Sequence, residues 1–302
     1  MTGRLDGRAA IVTGASRGLG RAIALALASQ GAAVAVVGRT ENVWDERLPG
    51  TIGETVADIE AAGGRGVAIR ADLLDRDDIA RLVNQARDAL GPITILVNNA
   101  AFTAPGRPPK PGDRDDRDDR ARAKAATAPP GAAKPGWPGL LGTPLGAYRR
   151  HFEIVVFAAY ELIQLVCPDM IAAESGSIIN VTSAASRLPG DGPYPDRNGG
   201  VLPGYGGSKA ALEHLTWCAA YDLADHNVAV NALAPSKQIL TPRLSYYAGE
   251  FDQVATAEEF ARAAVKLALV NPDIVTGRTI GHLQVLDGSF RSFPREESSA
   301  GS

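Results

Sequence analysis

Tyr205 and Lys209 stand one helical turn apart, separated by Gly206, Gly207 and Ser208. Side chains four positions apart lie on the same face of a helix. A tyrosine hydroxyl has a pKa near ~10 and is a poor base at neutral pH, but a neighbouring ammonium favours the phenolate and lowers that pKa. The pair could therefore give and take a proton near the working pH, and the lysine stem could reach a ligand hydroxyl. Taken alone, however, such a pair is more typical of an ordinary surface helix.

A glycine-rich turn at 13–20 lies between a short apolar run and a helical pattern, as where a strand passes into a helix. Gly14 permits a tight turn, Gly18 allows the backbone to approach a phosphate, and Gly20 allows the helix to pack against the strand. The first turn of the helix presents free N–H groups and the positive end of its dipole. The turn therefore predicts a site for an anion, above all the pyrophosphate of a dinucleotide.

Apolar runs and amphipathic stretches alternate along the chain, which is the pattern of a parallel sheet whose strands are joined by helices. The sequence predicts an α/β fold with a doubly wound parallel sheet of about seven strands and helices on both faces. The predicted strands are 9–12, 32–37, 67–70, 93–97, 177–181, 228–232 and 281–286, and the predicted helices are 21–28, 51–62, 79–90, 148–171, 205–224 and 257–270.

A single domain is predicted over 1–290, with two interruptions. Residues 104–135 are rich in Pro, Gly and Ala and include the charge run 113–120, which has no apolar residue. Such a segment cannot bury enough surface to offset its ordering entropy, so we expect a mostly disordered insertion, with a lid or a partner-binding arm as the alternative. A second Pro- and Gly-rich stretch, 187–204, is predicted to form a loop at the active site, and 291–302 a loose tail.

Composition limits the partners that the chain is expected to bind. Its 302 residues carry a formal net charge of −3 and are 45% hydrophobic, which gives no reason to expect nucleic acid or an acidic membrane. Cys167 and Cys218 lie in apolar helical patterns typical of buried thiols in a reducing compartment. The N-terminus has no signal-peptide core and no apolar run approaches the ~20 residues of a membrane span, so we expect a cytoplasmic protein. No residue cluster predicts a metal site.

Ser183 brings these features to one place. It lies just past the fifth predicted strand, at the carboxyl edge where open α/β sheets bind ligands, and the glycine-rich turn and Asn98-Asn99 fall on the same edge. With this combination the chain resembles the short-chain dehydrogenase/reductase family in its single-domain form, and the stretch 50–64 resembles the hydroxysteroid-dehydrogenase-like branch. The matching residues are Thr13 to Gly20, Asp72, Asn98-Asn99-Ala100, Ser183, Tyr205, Lys209, Asn231, Pro235, Thr241 and Asp287-Gly288.

The resemblance implies a Rossmann-type sheet and an NAD(P)-dependent oxidoreductase that interconverts a ketone or aldehyde and an alcohol. Tyr205 would be the general acid in reduction and the general base in oxidation. Lys209 would lower the pKa of Tyr205 and hold the nicotinamide ribose, and Ser183 would orient the substrate oxygen. Asp72 would contact the adenine, and Asn98 would contact the cofactor on the adenosine side of the cleft.

The choice between cofactors can be argued from the residues themselves. NAD sites carry an acidic side chain at the end of the second strand for the ribose 2′-hydroxyl. Here that position is Gly38, followed by Arg39, and Arg17 lies in the glycine-rich turn; two guanidinium groups suit a 2′-phosphate. We therefore predict NADP(H) in preference to NAD(H), the alternative being that Glu41 folds back to the ribose. The predicted cofactor contacts are Gly14, Ser16, Arg17, Gly18, Leu19, Gly20, Arg39, Asp72, Leu73, Asn98, Ala100, Tyr205, Lys209, Pro235 and Thr241.

One departure from the family pattern bears on catalysis. The family usually has an asparagine in the long helix that matches 148–171, where it anchors a water relay behind the lysine, and here that position is Val155. A valine cannot hold the water. The alternative to an enzyme is therefore a weakly catalytic or non-catalytic protein of the same fold that binds nucleotide or a partner.

The substrate is predicted as a small carbonyl or alcohol compound. Side chains of the loops expected to overhang the site suit a sizeable apolar substrate, or they pack these loops against themselves. Members of the family commonly pair the helices that match 148–171 and 205–224, so we expect a homodimer or homotetramer. The loop side chains in question are Tyr194, Leu240, Leu244, Tyr246, Tyr247 and Phe251.

Overall fold

The structure is a computed structural model, and it describes residues 4–43, 46, 48–101, 140, 143–186, 203–239, 241 and 254–290. The insertion predicted at 104–135, the loop predicted at 187–204 apart from its last two residues, and the tail predicted at 291–302 lie outside the described residues. The loop side chains proposed for an apolar substrate lie outside them too.

Seven parallel strands form the central sheet, which confirms the fold class predicted from the sequence. The strands are β1 (Ala9–Thr13), β2 (Ala33–Gly38), β3 (Arg65–Arg70), β4 (Ile93–Asn98), β5 (Gly176–Val181), β6 (Val228–Ala234) and β9 (Thr279–Gly281), and a separate parallel pair joins β7 (Gln238–Ile239) and β8 (Val254–Ala255). Across the sheet the order is β3-β2-β1-β4-β5-β6-β9. The chain direction across the sheet reverses between β1 and β4, which leaves a crevice at their carboxyl ends.

Helices connect most of these strands and cover both faces of the sheet. They are α1 (Gly18–Ser29), α2 (Ile52–Ala61), α3 (Arg76–Leu90), α4 (Leu145–Phe152), α5 (Ala158–Ala172), α6 (Pro203–Asp222), α7 (Ala257–Leu269) and α8 (His282–Leu286). Local sequence explains two of the helix starts. Thr51 forms a capping box with Glu54, and the Asp75 carboxylate accepts from the N–H groups of Asp77 and Asp78.

Each face of the sheet packs its own apolar layer, because successive residues of a strand point to opposite faces. In β1, Ala10 and Val12 belong to the layer that contains α1 and α7. Ala9 and Ile11 belong to the layer that contains α3 and α5. All five residues of β1 are buried, and its first four, Ala9 to Val12, form a continuous apolar run rather than an alternating one.

The prediction of a last strand at 281–286 is wrong. The strand is Thr279–Gly281, and the chain continues as the short helix α8. The strand ends there because its neighbour β6 ends at Ala234, which pairs with Gly281, and beyond that point no ladder partner is available. Instead, the His282 ring accepts a hydrogen bond from the Ser236 N–H at 2.8 Å.

The long helix predicted at 148–171 begins earlier and is interrupted by a π-helical turn at Glu153–Phe157 between α4 and α5. The combined run Leu145–Ala172 is long and apolar enough to cross a membrane by length and composition, so the expectation that no apolar run approaches that length was wrong. The run packs against α3, α6 and β4. Because this packing buries much of its apolar side, the composition does not by itself indicate a span.

The start of α1 packs very closely against the turn that follows β1, where Gly20 lies against the Gly14 carbonyl. A Cβ added at Gly20 would lie 2.3 Å from the Gly14 carbonyl oxygen and 2.5 Å from the Asn99 amide nitrogen. Neither neighbour can move far, because the carbonyl is backbone and the amide is hydrogen-bonded. Only glycine therefore fits at this position.

We expect Gly20→Ala to lower the free energy of unfolding by at least ~2 kcal/mol, because the added methyl group forces the turn and the helix apart. The measurement is chemical denaturation of the variant beside Gly53→Ala. Gly53 is also near a helix N-terminus, but its nearest atom lies 3.9 Å from the added Cβ. Gly53→Ala should therefore be neutral or stabilise by about 0.5 kcal/mol. Equal effects of the two substitutions would contradict the packing argument.

Candidate active site

A cleft of about 290 Å³ opens at the carboxyl ends of the central strands. It brings together the predicted residues Gly14, Ser16, Arg17, Gly18, Leu19, Gly20, Arg39, Asp72, Leu73, Ala100, Tyr205, Lys209, Pro235 and Thr241. Sequence reasoning missed Val37, Gly38, Thr40, Ala71, Asn99, Ala101, Ile154, Val181 and Thr182 as contacts. All of these nine except Ile154 lie in the last two residues of a strand or in the three residues that follow one, so position near a strand end is the signal that could have found them.

The glycine-rich turn lines one wall of the cleft with backbone. Gly14 and Gly18 have φ angles of +65° and +56°, a left-handed conformation that favours glycine. Arg17 is the N-cap residue of α1, and its side chain reaches back to donate to the Gly50 carbonyl at 2.9 Å. The start of α1 borders the cleft through Gly18 and Gly20, with Arg17 and Leu19 beside them. A helix N-terminus beside a space that β-carbons would fill is the arrangement that accepts a pyrophosphate, so the described residues fit a dinucleotide.

The floor of the cleft is fixed by hydrogen bonds between the ends of β1 and β4. The Thr13 hydroxyl donates to the Val97 carbonyl at 3.2 Å and accepts from the N–H groups of Asn99 and Ala100. The Asn99 amide donates to the carbonyls of Thr13 and Gly14 at 2.9 and 3.2 Å. These bonds occupy polar groups that the sheet ladder leaves over where the strands end.

Asn98 does not line the cleft, although the sequence predicts it as a cofactor contact. Its side-chain amide lies inside the sheet and donates to the side-chain Oδ1 of Asn180 at 2.8 Å. Asn180 in turn donates to Thr216 on α6 at 2.8 Å. This buried chain ties β4 to β5 and β5 to α6, and the neighbouring Asn99 is the one that faces the cleft.

Two ion pairs organise the far end of the cleft, beyond β2 and β3. Arg39 Nη1 lies 3.7 Å from Asp72 Oδ2, and both residues line the cleft. Glu41 pairs with Arg70 at 3.2 Å on the exposed side and is not a lining residue. In the sequence no carboxylate stands beside Arg17 or Arg39. The fold nevertheless places the Asp72 carboxylate beside Arg39.

Lys209 is completely buried beneath the cleft. Its Nζ donates to the Val181 carbonyl at the end of β5 at 2.6 Å and lies 5.8 Å from the centroid of the Tyr205 ring. Burial lowers the pKa of Lys209 to about 8, and the Glu213 carboxylate acts in the opposite direction. The ammonium is thus placed where it can act on the phenol, and it is held close to its titration point.

His151, on α4, is a buried neighbour of this pair that sequence reasoning missed. Its ring lies edge-on to Tyr205 with 6.1 Å between the ring centroids. A Cβ added at Gly204, directly before Tyr205, would lie 2.5 Å from His151 Cδ2. Burial and then the charge of Lys209 lower the pKa of His151 to about 4, so the imidazole is neutral at physiological pH. A histidine four residues before Val155, one helical turn away on the same helical run, was the available signal.

Ser183 and Val155 border the site without lining the cleft. Ser183 lies two residues beyond β5, and its hydroxyl accepts from the Ala185 N–H at 3.2 Å. Val155 is buried in the π-helical turn and packs with Ala159 and Leu212. The position that the family fills with asparagine is thus part of an apolar cluster here.

Comparisons with known proteins agree with this architecture. The profile of the short chain dehydrogenase family matches residues 8–118 and 142–244. The 7α-hydroxysteroid dehydrogenase of Escherichia coli K12 is 30% identical over 249 residues, which cover 80% of this chain and 78% of that protein.

Solved structures give the same result. A 7α-hydroxysteroid dehydrogenase in complex with NADH and 7-oxo glycochenodeoxycholic acid superposes with a TM-score of 0.67 at 28% identity, covering 92% of this chain and 93% of its own. A candidate NAD(P)-dependent gluconate 5-dehydrogenase from Beutenbergia cavernae, with NADP bound at low occupancy, superposes with a TM-score of 0.70 at 27% identity, covering 94% and 98%. The similarity to hydroxysteroid dehydrogenases therefore holds in sequence and in structure.

We expect Lys209→Met to raise the free energy of unfolding at pH 7 by about 1–2 kcal/mol. The lowered pKa means that burying the charge costs about 3 kcal/mol, of which the lost bond to Val181 offsets about 1. Between pH 8 and 10.5 the unfolded state binds the extra proton, so wild-type stability rises relative to the variant and the difference shrinks. Denaturation at several pH values measures this. Lys266→Met, which removes a 3.2 Å bond to the Leu286 carbonyl at a half-buried site, is the control and should not stabilise. A lower stability of Lys209→Met at pH 7 would contradict the assignment.

Proposed function

The chain belongs to the short-chain dehydrogenase/reductase family, and from that premise we propose that it is an NADP(H)-dependent oxidoreductase that interconverts a ketone or aldehyde and an alcohol. The observation that carries the proposal is that Tyr205, Lys209 and the glycine-rich turn line the same cleft. An anion cradle and a proton-transfer pair therefore meet at one place, as reduction of a carbonyl requires.

In the proposed reaction Tyr205 is the group that moves the proton. In reduction its hydroxyl donates to the carbonyl oxygen as that oxygen gains negative charge, and in oxidation the phenolate takes the proton from the alcohol. A nicotinamide cofactor held in the cleft would supply the hydride in reduction and accept it in oxidation. Lys209 stabilises the phenolate through its charge, and its bond to the Val181 carbonyl holds the ammonium in place.

Ser183 is proposed to hold the substrate oxygen towards Tyr205. Its position just past β5 puts it on the same edge of the sheet as Tyr205 and Lys209. A hydroxyl that donates to a developing oxyanion stabilises it most when the hydroxyl is fixed before the reaction begins.

The proposed preference for NADP(H) rests on Arg17 and Arg39, which both line the cleft. Glu41, the residue that would favour NAD(H), is half exposed and turned to Arg70. Asp72 tempers the positive charge of Arg39, but a guanidinium can bind a carboxylate and a phosphate together. The structures cited above hold NADH in one case and NADP in the other, so they do not decide between the cofactors.

The proposed substrate is a small carbonyl or alcohol compound, and similarity to hydroxysteroid dehydrogenases favours an apolar ring system among the candidates. A homodimer or homotetramer is proposed from exposed aromatic side chains on the outer surfaces of α5 and α6 and the turn before α5. These are Phe157, Tyr160, Trp217 and Tyr221.

The weakly catalytic alternative is favoured by one observation, the apolar packing of Val155 where the family has asparagine.

We expect Tyr205→Phe to lower kcat for carbonyl reduction by at least ~1000-fold, because it removes the transferred proton and leaves the ring in place. NADPH binding, followed by the quenching of protein fluorescence, should change by less than about threefold. Tyr221→Phe is the matched control, since that ring is exposed and lies outside the cleft. If the unmodified protein turns over no ketone or aldehyde of a broad panel, the binding alternative gains; if Tyr205→Phe turns over normally, the assigned role is wrong.

We expect Arg39→Ala to weaken NADPH binding by about tenfold or more, equivalent to ~1.4 kcal/mol, while NADH binding changes little, because only NADPH carries the 2′-phosphate. Titration of each variant with both cofactors measures this. Arg76→Ala removes an arginine from the ion pair with Glu161, outside the cleft, and should leave the ratio of the two affinities unchanged. Equal or tighter binding of NADH by the unmodified protein would overturn the preference.

A further inference from the structure

The segment that carries Ser183 is bonded on both sides to one carboxylate. Thr182 donates through its hydroxyl to Glu213 Oε1 at 2.6 Å. Ser186 lies 2.6 Å from the same oxygen through its own hydroxyl. Glu213 is on α6, 27 residues from Ser186 in sequence, so this is a long-range contact that local turn geometry does not require.

Glu213 belongs to the face of α6 that already contacts the end of β5. Tyr205, Lys209 and Glu213 are spaced four residues apart and therefore lie along one side of the helix. Lys209 holds the Val181 carbonyl, and Glu213 holds the next residue, Thr182. One helix face thus fixes both ends of the short connection that leads from the strand to Ser183.

The Ser183 backbone is fixed by the same group of residues. Its carbonyl accepts from the N–H and from the hydroxyl of Ser186 at 3.0 and 2.7 Å. The Ser186 hydroxyl has one hydrogen, which it shares between this carbonyl and Glu213. Removing the carboxylate therefore leaves the Ser186 hydroxyl bonded to the Ser183 carbonyl alone, and it releases both Thr182 and Ser186 from α6.

We propose that Glu213 is a positioning residue, which holds the turn after β5 so that the Ser183 hydroxyl is fixed towards Tyr205. The proposal rests on the function proposed above for Ser183 and Tyr205. Glu213 is not a lining residue of the cleft, so it acts through the turn and not by contact with cofactor. Because the hydrogen bonds from Thr182 and Ser186 converge on one acceptor, its loss costs order in the turn more than it costs global stability.

We expect Glu213→Ala to lower kcat by about 10–100-fold with NADPH affinity within about twofold of wild type. Glu213→Gln keeps the acceptor oxygen and the side-chain length and should recover most of the rate. Thr182→Val and Ser186→Ala each remove one bond and should give intermediate losses. His214→Ala changes the next residue of the same helix, which is exposed, and is the matched control.

A double-mutant cycle with Ser183→Ala separates positioning from a general structural role. If Glu213 acts through Ser183, the double variant Ser183→Ala and Glu213→Ala is no slower than Ser183→Ala alone, within about twofold. Multiplied losses would overturn the proposal. Full activity of Glu213→Ala beside an inactive Ser183→Ala would overturn it while leaving the proposed function intact.

Amide hydrogen exchange provides a readout that needs no turnover. The N–H groups of Ala185 and Ser186 are both bonded to Ser183, so their exchange should accelerate in Glu213→Ala and not in His214→Ala. Unchanged exchange in this turn would overturn the proposal even if no carbonyl substrate is found, and absence of turnover in the wild type would count against the proposed function alone.

Discussion

The site depends on how closely the backbone of the turn after β1 approaches both the start of α1 and the end of β4. Gly14, Gly20 and Asn99 meet within a space that admits no additional carbon atom. Asn99 and Thr13 satisfy the polar groups left over at the strand ends, so the floor of the cleft is formed by bonded backbone rather than by mobile side chains. A surface of hydrogen-bonded backbone need not reorganise when phosphates bind against it, and this is the basis of a preorganised anion site.

The opposite wall is built from one helix, α6, and from the end of β5 that it holds. Lys209 and Glu213 of this helix make polar contacts at and just beyond the end of β5. Leu212 of the same helix packs in an apolar cluster with Val155 and Ala159. The apolar packing of α6 therefore offsets the free energy that burying the Lys209 ammonium costs. Stability and proton chemistry oppose each other at this one side chain, as is common where a charge is placed for function.

Much of the fold could be predicted from the sequence because the signals are local. Buried strands are continuous apolar runs in the sequence, and the glycine-rich turn indicates a strand that passes into a helix. The predictions that failed depend on residues that are distant in the sequence but close together in the fold. The strand predicted at 281–286 is cut short because β6 offers it no further partner. Which of Asn98 and Asn99 faces the cleft depends on the register at the end of β4, and the pairing of Arg39 with Asp72 joins two strand ends 33 residues apart in sequence.

The strand order of the sheet also has a consequence for biosynthesis. β1 to β4 form a four-stranded half in the order β3-β2-β1-β4, which is complete once β4 has been made and has paired with β1. After β4, each new strand of the sheet adds to the same growing edge, in the sequence β5, β6 and β9. A chain leaving the ribosome from its N-terminus therefore always finds the next docking edge already formed. The glycine-rich turn and the end of β4 are complete in that first half, so this wall of the cleft can take shape before α6, which carries Tyr205 and Lys209, has been synthesised.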